Sequence, residues 1–270
     1  PGLKEFQRME LEKNTVSNGL VERPIGSERL KPEDYPSLLF SFSASKRRLL
    51  HVKVAGSSWS EGIPIHDGGA SGMVEIRNEG RGGNEGPSSD FLFQLSLTTQ
   101  TKKGTHFKTE ILTFRPRFVI VNKLDQTVHY RQMDTEGIYI VRPDHKTNFH
   151  WPNANCPNEL CIRIVAEVEG TETTSMPYEW SGAFDISTLG ESHIRLRSKE
   201  PEWPSCIVRI EVRNIGETLH VIFQAESSSI PPYRISNMTS LALLVNQAVQ
   251  GYDQHVDLVP PNSSIPFAWD

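Results

Sequence analysis

The sequence predicts an all-β chain of tandem antiparallel β-sandwich repeats, and three observations carry that expectation. PRFVIVNKLDQTVHYRQ around Asn122 and PPYRISNMTSLALLVNQ around Asn237 align without a gap. The alignment sets Pro116 against Pro231, Phe118 against Tyr233, Ile120 against Ile235, Asn122 against Asn237 and Gln132 against Gln247. Downstream, PDHKTNFHW (143–151) answers PNSSIPFAW (261–269) with Phe and Trp in register. A repeat of this length sets the architecture before any single residue is interpreted. The third observation is the texture of the chain: short runs rich in β-branched and aromatic residues, with no amphipathic helix of useful length between them.

Taken in order, residues 1–36 are polar, mixed in charge and aperiodic, and Pro24, Pro32 and Pro36 prevent a long helix, so this stretch reads as a flank or linker. HVKVAG (51–56), FLFQLSL (91–97), RFVIVN (117–122), CIRIVAEV (161–168), CIVRIEV (206–212) and LHVIFQA (219–225) read as strands. EGRGGNEGPSS (79–89) reads as a glycine-rich hairpin loop; with no following helix and no Lys-Ser/Thr it lacks the parts of a phosphate loop. Trp59-Ser60 corresponds to Trp180-Ser181, and FLFQLSL falls opposite CIVRIEV at the offset of the Asn strands. Two copies fit, 37–151 and 152–270. A repeat can be cut at any phase, and the alternative is a whole module over 116–230 flanked by two halves.

Composition narrows the function classes. Of 270 residues, 28 are Lys or Arg and 33 Asp or Glu, a net charge of −5, which offers no nucleic-acid footprint. No apolar run approaches the roughly 20 residues that cross a bilayer, and PGLKEFQRMELEK has no apolar core like that of a signal peptide. Cys156, Cys161 and Cys206, odd in number and irregular in spacing, argue against a disulfide framework or zinc site and for a reducing compartment. The sequons at Asn237 and Asn262 matter only in a secreted chain.

The repeated residues read first as structure. Trp59, Trp180, Trp151 and Trp269 are expected to plug cores or edges, each indole N–H finding a carbonyl. Asn122 and Asn237 end strands of the form aromatic-x-Ile-x-Asn and are expected to tie down the following turn. A loop held in this way can also wall a ligand groove, so both Asn residues, with Phe118, Tyr233, Trp151 and Trp269, are the candidate groove or core positions. Catalysis finds no support: the nine His share no metal-ligand spacing, His66-Asp67 reads as a turn, and Ser60 and Ser181 lie outside any nucleophile elbow. No catalytic residue, metal ligand or cofactor is expected.

SKRRLLHVKVAGSSWSEGIPIHDGGASG, RPRFVIVNKLDQTVHYRQ, PPYRISNMTSLALLVNQ and PPNSSIPFAWD together resemble the adaptor-binding region of the vacuolar protein sorting-associated protein 13 family, also called the SHORT-ROOT-binding domain. The resemblance covers about residues 37–270. It implies a string of β-sandwich repeats, each with a characteristic Asn matched here by Asn122 and Asn237, within a long bridge protein that moves lipid between organelles at membrane contact sites. It further implies that the partners are organelle adaptors carrying Pro-x-Pro peptides, bound by the last repeats, and among plant members a SHORT-ROOT-type transcription factor. Lipid would be handled only by the rest of the parent protein, which would be cytoplasmic and peripheral to membranes. This sequence contains no Pro-x-Pro, as expected of a receiver, and about two repeats instead of the family's six. Two other functions are open: spacer repeats that orient the bridge, and direct membrane-surface binding, which the acidic balance disfavours.

Overall fold

A computed structural model of the chain describes residues 49–54, 57–65, 71–77, 91–101, 110–167, 174–175, 178–198, 204–226, 230–247 and 255–270. The polar flank 1–36, the glycine-rich loop 79–89 and the His66-Asp67 turn lie outside them. Every regular element among the described residues is a strand, as alternating and β-branched patterning demands. They are β1 (Leu49–Leu50), β2 (Ile63–Pro64), β3 (Ser71–Arg77), β4 (Leu92–Thr101), β5 (Glu110–Pro116), β6 (Phe118–Asn122), β7 (Thr127–Gln132), β8 (Tyr139–Val141), β9 (Lys146–Phe149), β10 (Glu159–Glu167), β11 (Thr174–Ser175), β12 (Phe184–Asp185), β13 (Gly190–Leu196), β14 (Cys206–Ile215), β15 (Thr218–Ala225), β16 (Tyr233–Asn237), β17 (Leu243–Asn246), β18 (Val256–Val259) and β19 (Ser263–Phe267).

Two five-stranded sheets occupy the middle of the chain. One runs β11-β10-β7-β8, with β12 also on β10; the other runs β13-β14-β15-β6-β9. One hydrophobic cluster draws on both, from Ile120, Val221 and Phe223 in the second sheet to Tyr130, Ile162 and Ile186 on the first sheet's side. Aromatic edges meet across it, Phe184 on Phe223 and Tyr130 on Phe149. Among the described residues every ladder between strands is antiparallel except one seam, where β15 runs parallel to β6 with Leu219 opposite Phe118 and Val221 opposite Ile120; the isolated Ile194–Trp269 bridge is parallel too. The seam joins residues a hundred positions apart, and both it and the β7–β10 ladder cross the 151/152 boundary.

Either side of this body lies a smaller group of strands. β3-β4-β5 form a three-stranded sheet with its own cluster around Val74, Ile76 and Leu97. At the other end β16 pairs with β19 and β17 with β18.

Repetition is visible in the backbone itself. Asp144 and Asn262, matched in the sequence repeat, both take positive φ (56° and 50°) in the turns that lead into β9 and β19. Asp and Asn enter this left-handed region more readily than other non-glycine residues. Gly216 and Glu217, also at positive φ, make the two-residue turn that joins β14 to β15.

One expected strand is cut short. In the 51–56 run, residues 51–54 lie outside any strand, and the ladder there is the two-residue pair β1–β2. The reason is Ser60, whose hydroxyl accepts from the Val52 N–H (3.0 Å) while its own N–H donates to the Val52 carbonyl (2.8 Å). A side chain here replaces a strand partner.

Candidate functional site

Both repeat Asn residues are fully buried and do the same work. Asn122 Nδ2 donates to the carbonyls of Gln126 (2.8 Å) and Val141 (3.1 Å), and Oδ1 accepts from the Leu124 N–H (2.9 Å). Asn237 Nδ2 donates to Leu241 (2.7 Å), Val259 (3.0 Å) and Pro260 (3.0 Å), while Oδ1 accepts from the Thr239 N–H (3.0 Å) and hydroxyl (2.8 Å). Each amide closes its own four-residue turn and pins that turn to the strand of the next hairpin. With donors and acceptor all engaged inside the fold, the two side chains hold loop geometry and present no free group to a ligand.

The aligned glutamines form a second recurring clamp. Gln132 Nε2 donates to the carbonyls of Asn153, Cys156 and Pro157, and its Oε1 accepts from the Asn153 N–H. Gln247 donates to the Ala268 carbonyl and accepts from the Asp270 N–H, closing the Phe-x-Trp end of its own copy. Their recurrence in register was the signal that could have singled them out.

The Trp-Ser turns recur as well. Ser181 exchanges hydrogen bonds with Ile162 as Ser60 does with Val52. One residue further along, a cation covers the turn's indole: Lys53 lies 5.0 Å from the Trp59 ring, and Arg163 lies 4.5 Å from Trp180. Arg131 covers Trp180 too, at 4.5 Å. Burial lowers the pKa of Arg163, and the Arg131 charge lowers it further. His129 accepts from Arg163 at 3.4 Å and is pushed down to about 4, by burial first and the Arg163 charge second.

The expectation that all four Trp are plugs is corrected in part. Trp151 is one, 1% exposed, packed on Phe118 and Phe149, with its indole N–H on the side-chain carbonyl of Gln94 (3.2 Å). Trp59 is exposed beneath its lysine, and Trp180 is half-buried under two arginines. Trp269 is 55% exposed, touching the Phe267 ring. Its backbone makes the attachment instead, its carbonyl accepting from the Arg195 N–H at 2.7 Å beside an isolated bridge to Ile194. Phe118 and Tyr233 diverge in the same way: Phe118 is 2% exposed in the shared core and Tyr233 is 57% exposed. Of the paired candidates, the structure therefore seats the first-copy rings in a core and leaves the second-copy rings at the surface.

An ionic joint fastens the 255–270 segment to β13 and the residue after it. Arg195 holds Asp257 through both Nη atoms (2.7 and 2.9 Å). Arg197 contacts the same carboxylate (3.0 Å) and reaches Asp270 through Nε (2.8 Å) and Nη2 (2.7 Å). Burial alone would raise the Asp257 pKa; Arg197 and Arg195 outweigh it and hold the carboxyl below its ordinary range. Gly182 sits against this joint, where a Cβ would lie 2.6 Å from the Asp270 carbonyl oxygen. Sequence reading passed over these residues, although the Arg-Leu-Arg spacing at 195–197 puts both cations on one strand face.

One apolar surface is left exposed at the C-terminal strands. On the β17–β18 pair, Leu243, Val245, Asp257 and Val259 share one face, while Leu244, Val256 and Leu258 share the other with Asn246. The second face is exposed, Leu244 at 74%. β17 also has one edge without a strand among the described residues, whereas its counterpart β7 carries β8 on one side and β10 on the other. A groove of about 680 Å³ is lined by Trp59, Ile63, Pro64 and Met73 together with the charged Glu61, Glu75 and Arg77. Among the described residues no group of His, Cys, Asp or Glu could hold a metal ion, and no helix is long and apolar enough to cross a membrane.

Comparison with known proteins places this geometry. A family model described as Vacuolar-sorting associated protein 13, adaptor binding domain, matches residues 7–270. Intermembrane lipid transfer protein vps13B of Dictyostelium discoideum is 27% identical over 184 residues, 66% of this chain and 3% of that protein. Human intermembrane lipid transfer protein VPS13D is 24% identical over 221 residues, 78% of this chain and 5% of its own length. Intermembrane lipid transfer protein VPS13 of Chaetomium thermophilum is 21% identical over 256 residues, 91% of this chain and 7% of that protein. The chain thus spans well under a tenth of the curated relatives it matches.

Proposed function

Since the chain belongs to the Vacuolar-sorting associated protein 13 adaptor binding domain family, we propose that its second copy receives Pro-x-Pro peptides of organelle adaptors. Binding there would target a parent lipid transfer protein to membrane contact sites from the cytoplasm. The observation that carries this reading is the exposed Leu244, Val256 and Leu258 face beside the open β17 edge. An extended peptide adding to that edge gains main-chain hydrogen bonds, and its prolines rest on the apolar side chains. Proline-rich segments are already extended and lose less entropy on docking. The ligand is read by surface, and the Asn237 lock acts indirectly by holding the 237–241 turn from which β17 departs.

The folding unit in this reading is the one that begins at the Asn strand, about 116–230, with half-modules on either side. It is supported by the two sheets whose partners all lie within 118–225 and by their common core. Calorimetry on the full chain tests the function. A Pro-x-Pro peptide should bind with micromolar affinity, about −8 kcal/mol, and Leu258→Lys should weaken it at least tenfold with the melting temperature unchanged. No heat of binding from any adaptor peptide would sink the reading.

A spacer function is favoured by one observation, the complete internal use of both Asn amides. A spacer would lose stability on Asn substitution and would bind no peptide.

A further inference from the structure

The outward face of the first sheet gathers positive charge. β7 and β10 pair with Arg131 opposite Cys161 and His129 opposite Arg163. The alternate residues Tyr130, Leu160, Ile162 and Ile164 belong to the shared core, so Arg131 and Arg163 lie on the other face as diagonal neighbours. Their companions on that face, His129, Cys161 and Val165, are buried, whereas both arginines are half-buried and stay within reach of solvent. The Trp-Ser turn is fixed beside them: the Ser181 N–H donates to the Ile162 carbonyl (2.8 Å) and the Ser181 hydroxyl accepts from the Ile162 N–H (2.9 Å). That attachment sets the Trp180 ring 4.5 Å from each guanidinium.

The two cations are not neutralised from within. Among the described residues, Arg195, Arg197 and Arg213 hold carboxylates, and Arg131 and Arg163 do not. Their side-chain partners are uncharged: the Cys161 thiol for Arg131 and the His129 ring for Arg163. The Nε atoms of both arginines are buried without a hydrogen-bond partner. The crowding registers in Arg163, whose pKa is lowered by burial first and by the Arg131 charge second. The indole attracts both guanidinia but neutralises neither charge. An arginine stacked on a ring also keeps its planar fork set for bidentate contact with an oxyanion.

We propose that Arg131, Trp180 and Arg163 form a recognition site for the carboxylate side chains of an acidic peptide segment in a partner protein. Charge complementarity names the occupant, since two ring-stacked forks without a carboxylate of their own fit carboxylates supplied from outside. A singly charged carboxylate is favoured over a phosphate because Glu159 and Asp134 also act on Cys161 at this strand pair and limit the local positive charge. An anionic membrane is disfavoured by the net charge of −5, which such a surface repels. The site is built from β7, β10 and the turn at Trp180, so it stands or falls apart from the β17 surface.

Hexaglutamate titrated into the full chain tests this, read by nuclear magnetic resonance at the arginine Nε–H and Trp indole N–H signals. The signals of Arg131, Arg163 and Trp180 should shift together and saturably, and the affinity should fall as salt is raised. Arg131→Gln and Arg163→Gln should each weaken binding at least tenfold. Arg131→Lys keeps the charge without the fork and should weaken it several-fold. Should circular dichroism show a glutamine variant unfolded, the lysine variant and the wild-type shifts carry the test. Inorganic phosphate should move the same signals only at higher concentration than hexaglutamate, and phosphatidylserine vesicles should not bind. No saturable shift at millimolar hexaglutamate overturns the proposal and leaves the stack a structural one. Hexaglutamate affinity unchanged in the variants overturns it too, as does tighter binding of phosphate, or vesicle binding that the arginine variants abolish. Pro-x-Pro peptide binding at β17, measured on the same samples, is a separate readout, so loss of one assignment is distinguishable from loss of the other.

Discussion

Replacing Asn122 by alanine removes three hydrogen bonds at a site with no solvent access: two donated to the carbonyls of Gln126 and Val141, one accepted from the Leu124 N–H. A net loss of about 1 kcal/mol for each bond, with partners left buried and unsatisfied, gives about 3 kcal/mol. With a urea dependence of about 2 kcal/mol per molar, the unfolding midpoint should fall by roughly 1.5 M. Fluorescence-detected urea denaturation reads this directly, since Trp151 is buried in the same core. Asn122→Asp sharpens the test. It keeps the shape but turns the donor into an oxygen facing two carbonyls, so at neutral pH it should cost more than alanine. Acidification should recover part of that loss, because a protonated carboxyl can donate to one carbonyl. A shift below about 0.5 kcal/mol for alanine, within the range of ordinary surface substitutions, would refute the lock. So would an aspartate variant as stable as wild type.

Three further outcomes are expected. Asp257→Asn should loosen the β13 joint, seen as faster amide exchange over 255–270 while the 118–225 body keeps its protection; in the wild type, because Asp257 is held below its ordinary pKa, the joint's support is present at neutral pH and is lost as the pH falls below 3.8 through the folded-state value. Gly182→Ala places a methyl 2.6 Å from the Asp270 carbonyl oxygen, which is backbone and must shift; a cost of about 1–3 kcal/mol is expected, read as the same local increase in exchange. His129, held neutral in the fold down to about 4, binds a proton in the unfolded chain near 6.5, so stability should fall as pH drops from 6.5 towards 4. His129→Gln should flatten that part of the profile in urea titrations at several pH values.

The strand content and the repeat were legible because their signals are local and periodic. Six β-branched or aromatic runs and one gapless alignment needed no knowledge of partners. The turn-tying function of Asn was legible for the same reason, since an amide and its turn lie within five residues of each other. The parallel seam was not: nothing in Phe118–Asn122 announces that Thr218–Ala225 will lie beside it. Exposure was not legible either. Phe118 and Tyr233 occupy one repeat position, and which of them is buried depends on whether a strand a hundred residues away covers it. Trp269 was misjudged on the same ground, while Trp151 found Leu92 and Gln94 from an earlier sheet. The strand at 51–56 failed for a nearer reason, because Ser60, eight residues beyond Val52, satisfied the backbone that a ladder would have used.

The unequal fates of equivalent residues decide how an Asn237 substitution should be interpreted. Asn122 and Asn237 close equivalent turns, but the turn after Asn122 leads into a strand buried on both sides, whereas the turn after Asn237 leads into β17, whose outer face is exposed. Loss of the first lock is therefore registered mainly as stability. Loss of the second displaces Leu244 relative to Leu258, and should appear in peptide affinity before it appears in global unfolding. Asn237→Ser is the informative change. Its shorter hydroxyl can keep one local bond but cannot span the reach to Leu241, Val259 and Pro260 together. If peptide affinity falls several-fold while the main unfolding transition stays in place, the Asn acts on the receptor surface through its turn. If affinity and that transition fall together, the β16–β19 strands unfold with the body and the amide has no separable influence on binding.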